Sequence, residues 1–420
     1  MKKVIIPDGN PGQYVISKSN RDYILAKGSE LHDNGTAGGI FESNAYSGNV
    51  FHINGTVDHD VFMSGVAMTF SGSGSNVIVG KSGDILGFST GIAMSGADQV
   101  LVNNGHVQSV LYGISATGAN KNITNNGEIV SGTGLAISGE GKITNNGDID
   151  AGVAGIHWSD GSGTLLLGKN SEITSDGAEN PNGVGVTRVN DTGVKSRTIN
   201  EGDVTGNNFS FKGDAGDETL INRGTMTGDI ALGAGDDMFD NRAGTLTGSV
   251  DGGAGSDTYL MGANQFAMIE AADAAGTDTL KSTVTRALDL SWNIEDLHLL
   301  GKKNINGFGD AGDNHLFGNK GRNVLGGLEG ADQMTGGAGK DTFQFKTGDD
   351  VDSIMDFQNG VDKIDLSGWD TYTSWADIKA KNGFAVIDGS VHLIDVNAMG
   401  EELTLVGVKL GQLDKTDFIF

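Results

Sequence analysis

Four nine-residue rows run from residue 309 to residue 344 without a slip. Glycine stands at the first position of each, as Gly309, Gly318, Gly327 and Gly336, and at the fourth, as Gly312, Gly321, Gly330 and Gly339. The sixth position holds Asn314, Asn323, Asp332 and Asp341, and the eighth holds Leu316, Leu325, Met334 and Phe343. Six residues make a turn and three make a short strand. Glycine opens backbone dihedrals closed to other residues and lets carbonyls approach an ion. The sixth position offers a carboxylate or amide oxygen, and the eighth points inward. Calcium takes roughly 6–8 oxygen ligands at about 2.3–2.6 Å, backbone carbonyls included. Stacked turns of this composition can supply such a cage.

The same turn chemistry occurs earlier at a longer period. Gly213-Asp214-Ala215-Gly216-Asp217-Glu218, Gly233-Ala234-Gly235-Asp236-Asp237 and Gly252-Gly253-Ala254-Gly255-Ser256-Asp257 place Glu218, Asp237 and Asp257 at steps of 19 and 20 residues. Stacked one turn apart, these carboxylates repel unless a cation lies between them. The readings are a calcium edge or a solvated acidic face.

These turns need a repeating scaffold, and a second motif supplies one. Ile/Val-x-Asn-x-Gly-x-Ile/Val recurs with its glycine at 105, 127, 147, 202, 224 and 244. Lys169 to Ile173 reads as an intervening copy, and Gly55 and Gly83 as earlier ones. Gly-Ile or Gly-Leu pairs fall between the copies, at Gly91, Gly113, Gly134 and Gly155. A fixed period near 20–22 residues with short alternating strands and no helical periodicity predicts a parallel β-helix. Asn103, Asn125, Asn145, Asn200 and Asn222 each precede a repeat glycine by two residues. Stacking brings their amides into line, either as an internal ladder or as an exposed row that binds sugar.

Residues 252–345 resemble a hemolysin-type (RTX) calcium-binding block. Gly276-Thr277-Asp278-Thr279-Leu280 and Ile294 to Leu299 resemble its intervening segments. The resemblance implies a β-roll whose turns hold calcium between rows two apart, pairing Asn314 with Asp332 and Asn323 with Asp341. Asparagine in two of the rows, and Arg322 beside one, lower the negative charge there. Residues 346–420 are similar to the end of RTX exoproteins, through Asp349 to Phe357 and Gly360 to Ser367. In that setting the terminal Asp417-Phe418-Ile419-Phe420 looks like an uncleaved type I secretion signal. Thr373 to Lys381 reads as one short helix closed by Gly383.

Composition agrees. The chain has 420 residues, 69 of them glycine, only 3 prolines and no cysteine, which excludes disulfides, thiolate metal sites and thiol nucleophiles. Its 28 basic and 54 acidic residues give a net charge of −26, which excludes nucleic acid as a partner and suits divalent cations. The start, Met1 to Asp8, has too few apolar residues for an N-terminal secretory signal. No window reaches the roughly 18 apolar residues of a membrane helix. Parallel β-helices often carry polysaccharide-cleaving chemistry. Asp58-His59-Asp60 is the best acid–base cluster and His157-Trp158-Ser159-Asp160 a candidate sugar subsite; both also read as loop or surface.

The expected fold is all-β: a parallel β-helix solenoid continuing into a calcium-binding RTX β-roll. The expected division is an N-terminal cap over 1–50, the β-helix over 51–260, the roll over 261–345, and a cap with secretion signal over 346–420. The expected metal-site residues are Glu218, Asp237, Asp257 and the glycine and Asn/Asp positions of the four rows, with Ca2+ as cofactor. The expected role is that of a secreted or cell-surface structural, adhesive or matrix protein. Its partners would be calcium, a type I exporter, and an extracellular polysaccharide or cell surface. The alternatives are a polysaccharide-modifying enzyme and a self-assembling layer or filament protein.

Overall fold

A computed structural model describes residues 2–7, 14–33, 40–42, 45–59, 65–160, 162–175, 183–190, 193–263, 267–268, 276–394 and 400–420. The chain divides into two compact units, Met1–Gly253 and Ala254–Phe420. Both are β-solenoids, so the chain is all-β as expected.

In the first unit each turn carries three short strands. One face runs in parallel register from Lys2–Ile5 through Val100–Asn103 and Gly141–Asn145 to Met238–Asn241. The other two faces merge where strands such as Glu128–Ser138 and Asp148–Ser159 bend round a corner, with a register shift at Ser131/Thr133. Alternation explains the core. Leu101, Ile123, Ile143 and Leu165 stack on one face, while Val107, Ile129, Ile149 and Ile173 stack on the second. Full burial of each such side chain contributes about 1.5–3 kcal/mol. The Gly-Ile pairs mark the corner. A Cβ on Gly134 would lie 2.2 Å from Ile149 Cγ2 and 2.6 Å from the Gly155 carbonyl, so only glycine fits.

The segment 1–50, expected as a cap, already contributes turns. Lys2–Ile5 pairs in parallel with Arg21–Leu25, which pairs with Val50–Ile53. Tyr23 stacks on Phe51 with ring centroids 5.2 Å apart. Aromatic stacking replaces the Asn-Gly signature here, which is why the repeat is hard to see in the sequence. Lys169 to Ile173 does lie in a turn of its own, with Glu172 between Asp148 and Asp203 in the register.

In the second unit a turn has two strands. One face runs from Thr258–Met261 through His315–Phe317 and Gln333–Thr335 to Val351–Ile354. The opposite face includes Gly307–Phe308, Val324–Gly326, Thr342–Lys346 and Lys363–Gly368. Leu316, Leu325, Met334 and Phe343 fill the space between and are wholly buried. The roll ends in a helix, Trp375–Ala380, capped by Ser374, whose Oγ accepts the Asp377 N–H. An antiparallel hairpin, Phe384–Ile387 with Ser390–Ile394, then adds Glu402–Leu405 to the Val351–Ile354 edge. The terminal strand Phe418–Ile419 pairs with Lys363–Gly368, and Trp375, Phe384 and Phe418 cluster over it.

Candidate metal centres

The period of 18 residues per turn places alternate rows on opposite edges of the roll. On the first edge Asn314 N–H donates to Asp332 Oδ1 at 2.7 Å, and Asp332 N–H donates to Asp352 Oδ1 at 3.1 Å. On the second, Asn323 N–H donates to Asp341 Oδ1 at 2.8 Å, and Asp341 N–H donates to Asp362 Oδ1 at 3.0 Å. Earlier on the chain Asp257 N–H donates to Asp278 Oδ1 at 2.8 Å, and Asp278 N–H to Glu295 Oε2 at 2.7 Å. The Asp332 and Asp341 side chains thus each receive the backbone N–H of the sixth-position residue one turn before. The structure brings Asn314 beside Asp332 and Asn323 beside Asp341, the pairs that the resemblance implied.

Only one oxygen of each carboxylate is used this way. Asp332 Oδ2 and Asp341 Oδ2 are buried and find no hydrogen-bond partner among the described residues. Leaving such a group unsatisfied costs several kcal/mol, roughly 1–3 even for neutral groups. Glycine makes the space for them. A Cβ on Gly327 would sit 1.8 Å from Asp332 Oδ2, and one on Gly336 would sit 2.9 Å from Asp341 Oδ2. The fourth-position glycines bring carbonyls near. Gly330, at φ +111°, backs onto the Gly312 carbonyl, and Gly339 backs onto that of Gly321. The first-position glycines do likewise, Gly309 against the Gly327 carbonyl and Gly318 against that of Gly336.

The asparagine rows are different. Asn314 Oδ1 accepts Asp310 N–H at 2.8 Å and its Nδ2 donates to the Ile294 carbonyl at 3.4 Å. Asn323 Oδ1 accepts Asn319 N–H at 2.8 Å and its Nδ2 donates to the Ile305 carbonyl. Each side-chain oxygen thus already holds one backbone N–H of its own turn.

Charge accumulates where the carboxylates stack. Burial, then the neighbouring Asp362 and Asp356, pushes Asp341 up to about 6. Burial and the adjacent Glu295 push Asp278 up to about 6. Asp332 and Asp352, buried against each other, are both raised, mainly by burial. A carboxylate held in this way wants a proton or a cation.

In the first unit Glu218 N–H donates to Asp237 Oδ1 at 2.6 Å, so these two expected residues do stack. Glu218 Oε1 accepts from Asn190 at 3.1 Å, while Oε2 is buried without a partner among the described residues. Burial pushes Glu218 up to about 7. Sequence reasoning missed a buried cation nearby: Arg188 is wholly enclosed, lies 4.1 Å over the Trp158 ring, donates to the Gly163 carbonyl at 3.1 Å, and lowers the Glu218 pKa. Its own pKa is lowered to about 10, chiefly by burial.

Among the described residues no three Asp, Glu or His side chains close on one point as a ready-made cage. The donor set is one or two carboxylates with glycine carbonyls, all oxygen, which fits calcium and not a thiolate- or imidazole-bound metal. In the sequence Asp352, Asp356 and Asp362 belong to the C-terminal stretch that resembles RTX exoproteins, outside the nine-residue rows. Asp352 and Asp362 follow Asp332 and Asp341 by 20 and 21 residues, the roll period stretched by an insertion. Asp356 accepts both Gly336 N–H and Gly337 N–H, at 2.7 and 2.8 Å.

Of the enzymatic candidates, one is drawn into the core and the other lies in part outside the described residues. Trp158 of the sugar-subsite candidate is wholly buried beneath Arg188 and faces the core. Asp60 and the His59 side chain lie outside the described residues.

The family model for the Peptidase M10 serralysin C terminal matches residues 195–420. No curated protein matches the chain. No histidine in it is followed by glutamate, so these 420 residues hold no His-Glu-x-x-His zinc motif.

Proposed function

The chain belongs to the serralysin C-terminal family, whose domains are typical of secreted RTX exoproteins and usually bind calcium, and from that premise we propose a calcium-assembled extracellular scaffold. The chain leaves the cell unfolded through a type I exporter and folds outside as its turns take up calcium. It then serves a structural, adhesive or matrix role against a polysaccharide or cell surface. Asp332 and Asp341 would each give a carboxylate oxygen, with carbonyls from the first- and fourth-position glycines completing the shell. Asn314 and Asn323 would give weaker neighbouring positions. Glu218, Asp237 and Asp257 would form further sites, with Arg188 opposing the first. Residues 346–420 would act as cap and export signal.

The carrying observation is the pair of buried, unpartnered oxygens, Asp332 Oδ2 and Asp341 Oδ2. A folded chain cannot keep them so without a counter-ion or a proton. Extracellular calcium sites work at about 10⁻⁴–10⁻³ M, above cytosolic levels, so the same chemistry keeps the chain export-competent inside the cell. Binding free energy then becomes folding free energy. Circular dichroism of the purified chain before and after chelation tests this. Loss of β signal on chelation and its return with calcium are expected; an unchanged spectrum removes the reading.

A further inference from the structure

The cap carries an apolar groove away from the acidic turns. Its walls are the helix Trp375–Ala380, the strand Phe384–Ile387 and the short helical turn Leu410–Gln412. The helix ends at Gly383, whose N–H donates to the Ile378 carbonyl at 2.9 Å. The chain reverses there and lays Phe384 beside Trp375, with ring centroids 5.4 Å apart. Phe418 packs on both rings, at 5.2 and 6.1 Å. Between these elements lies an open cavity of about 420 Å³, lined by Trp375, Ile378, Phe384, Leu410 and Leu413. Small-molecule sites measure roughly 300–1,000 Å³ and are mostly apolar with a few placed polar groups.

Two observations point to the ligand. The first is apolar surface left to solvent. Leu410 is 40% exposed, and Trp375 and Phe384 are only half-buried. Contiguous apolar surface of this kind marks interaction sites. The second is charge. The chain carries a net −26, yet the one charged residue lining this cavity is Lys379. Its ammonium lies 4.9 Å over the Trp375 ring, which holds it at the groove. Lys381, two residues on, is paired with Asp377 at 3.1 Å, whereas Lys379 has no ion pair among the described residues. A free cation at the edge of an apolar floor attracts an anion whose remainder is apolar.

We propose that this groove binds a single-chain anionic amphiphile. The alkyl chain lies across Trp375, Phe384, Leu410 and Leu413, and the anionic head pairs with Lys379 Nζ. The site goes beyond the scaffold role and needs no metal. Each buried methylene adds roughly fourfold in affinity. An ion pair at an open rim adds less, at most about fivefold. Chain length therefore sets how tightly the ligand is held, and the head sets which ligand is preferred.

The full chain, folded in calcium, is titrated with octanesulfonate. Bound ligand is measured by equilibrium dialysis, alongside tryptophan emission. Hexanesulfonate shortens the chain, octyltrimethylammonium reverses the head, and phosphatidylglycerol vesicles present anionic heads on a membrane. One saturable octanesulfonate per chain is expected. Hexanesulfonate should bind about tenfold more weakly, and octyltrimethylammonium more weakly than octanesulfonate. Lys379→Gln should weaken octanesulfonate about fivefold and abolish the preference between heads. Leu410→Ser should weaken both octyl ligands alike, and Trp375→Phe should remove the emission change. Should Leu410→Ser fail to fold, the surface variant Lys379→Gln carries the test. Equal binding of the two heads by wild type, or an octanesulfonate affinity unmoved in Lys379→Gln, overturns the site. So does an emission change that survives Trp375→Phe. Vesicle association without saturable octanesulfonate binding overturns it as well and makes the groove a membrane contact. A chain that folds without calcium removes the calcium reading and leaves this site standing, since none of its residues belongs to a glycine-rich turn.

Discussion

Both units stack turns along an edge by side chain: the long run in the first is of amides, beside the single pair Glu218–Asp237, and the runs in the second end in carboxylates. In the first unit Asn103 Nδ2–H donates to Asn125 Oδ1 at 2.8 Å, and Asn125 Nδ2–H to Asn145 Oδ1 at 2.7 Å. The ladder is interrupted at Leu167 and resumes from Asn200 to Asn222 to Asn241 at 2.9 and 2.8 Å. An amide both donates and accepts, so each rung satisfies the next, and the ladder is neutral. In the second unit Asp332 and Asp341 stack carboxylates, which only accept. One oxygen takes the backbone N–H of the previous turn and the other is left over. The amide edge satisfies itself as far as Asn241, whose Nδ2 alone is left over among the described residues, whereas the carboxylate edge is complete only with a proton or a cation. Ion dependence therefore belongs to the edge chemistry rather than to the solenoid form.

Calcium removal is the sharpest way to break this contrast. Chelation should unfold residues 254–420 while the asparagine-laddered turns keep their protection. Hydrogen exchange read by peptide, with limited proteolysis, resolves the two units. Simultaneous loss of both, or of neither, would mean that edge chemistry does not set ion dependence.

Next in size comes core packing. Phe343→Ala removes a wholly buried ring and should cost roughly 3–5 kcal/mol at every calcium concentration. Asp341→Ala should instead shift the calcium midpoint upward and be rescued by excess calcium. Denaturant melts across a calcium series compare the two. Identical calcium dependence would erase the division into ligand and core positions.

The amide ladder should respond differently again. Asn125→Ala leaves the Asn103 donor and the Asn145 acceptor without their partner and should destabilise by about 1–3 kcal/mol. The loss should be the same with and without calcium. A calcium-sensitive Asn125→Ala phenotype would contradict the independence of that edge.

The smallest effect is on pH dependence without calcium. Asp341 and Asp278 are raised to about 6 in the folded chain, against about 3.9 for an exposed aspartate. A raised folded pKa gives stability that is fully present below the unfolded pKa and is lost as pH rises through the folded one. The calcium-free roll should thus be more stable near pH 4 than near pH 8, and saturating calcium should remove that slope. Thermal melts at both pH values check it, and a calcium-free roll that gains stability with rising pH would show the carboxylates to be otherwise satisfied.

Much of this was legible before any coordinates. Period nine and period near twenty place glycine, the ligand position and the inward apolar residue by local rules alone. Leu316, Leu325, Met334 and Phe343 are all in the core as their position required. The helix at Trp375–Ala380 and the asparagine ladder also follow from local pattern. What escaped were features without a period. The first turns use the Tyr23–Phe51 stack in place of the Asn-Gly signature. Trp158 read as a surface sugar contact yet lies beneath the buried Arg188.

The sequence by itself determined the repeats, the all-β class, the acidic turns and the residue types that face inward. Repetition makes these readable because each turn meets only its neighbours, so spacing along the chain is spacing in space. Tertiary structure alone decided which carboxylate oxygens are left over, that Arg188 sits near Glu218, and that Trp375 and Leu410 line one cavity. Such contacts join residues far apart in the chain through an aperiodic cap or a single inward substitution. Burial and the count of hydrogen-bond partners, which set the energy of a carboxylate, exist only once the turns are stacked.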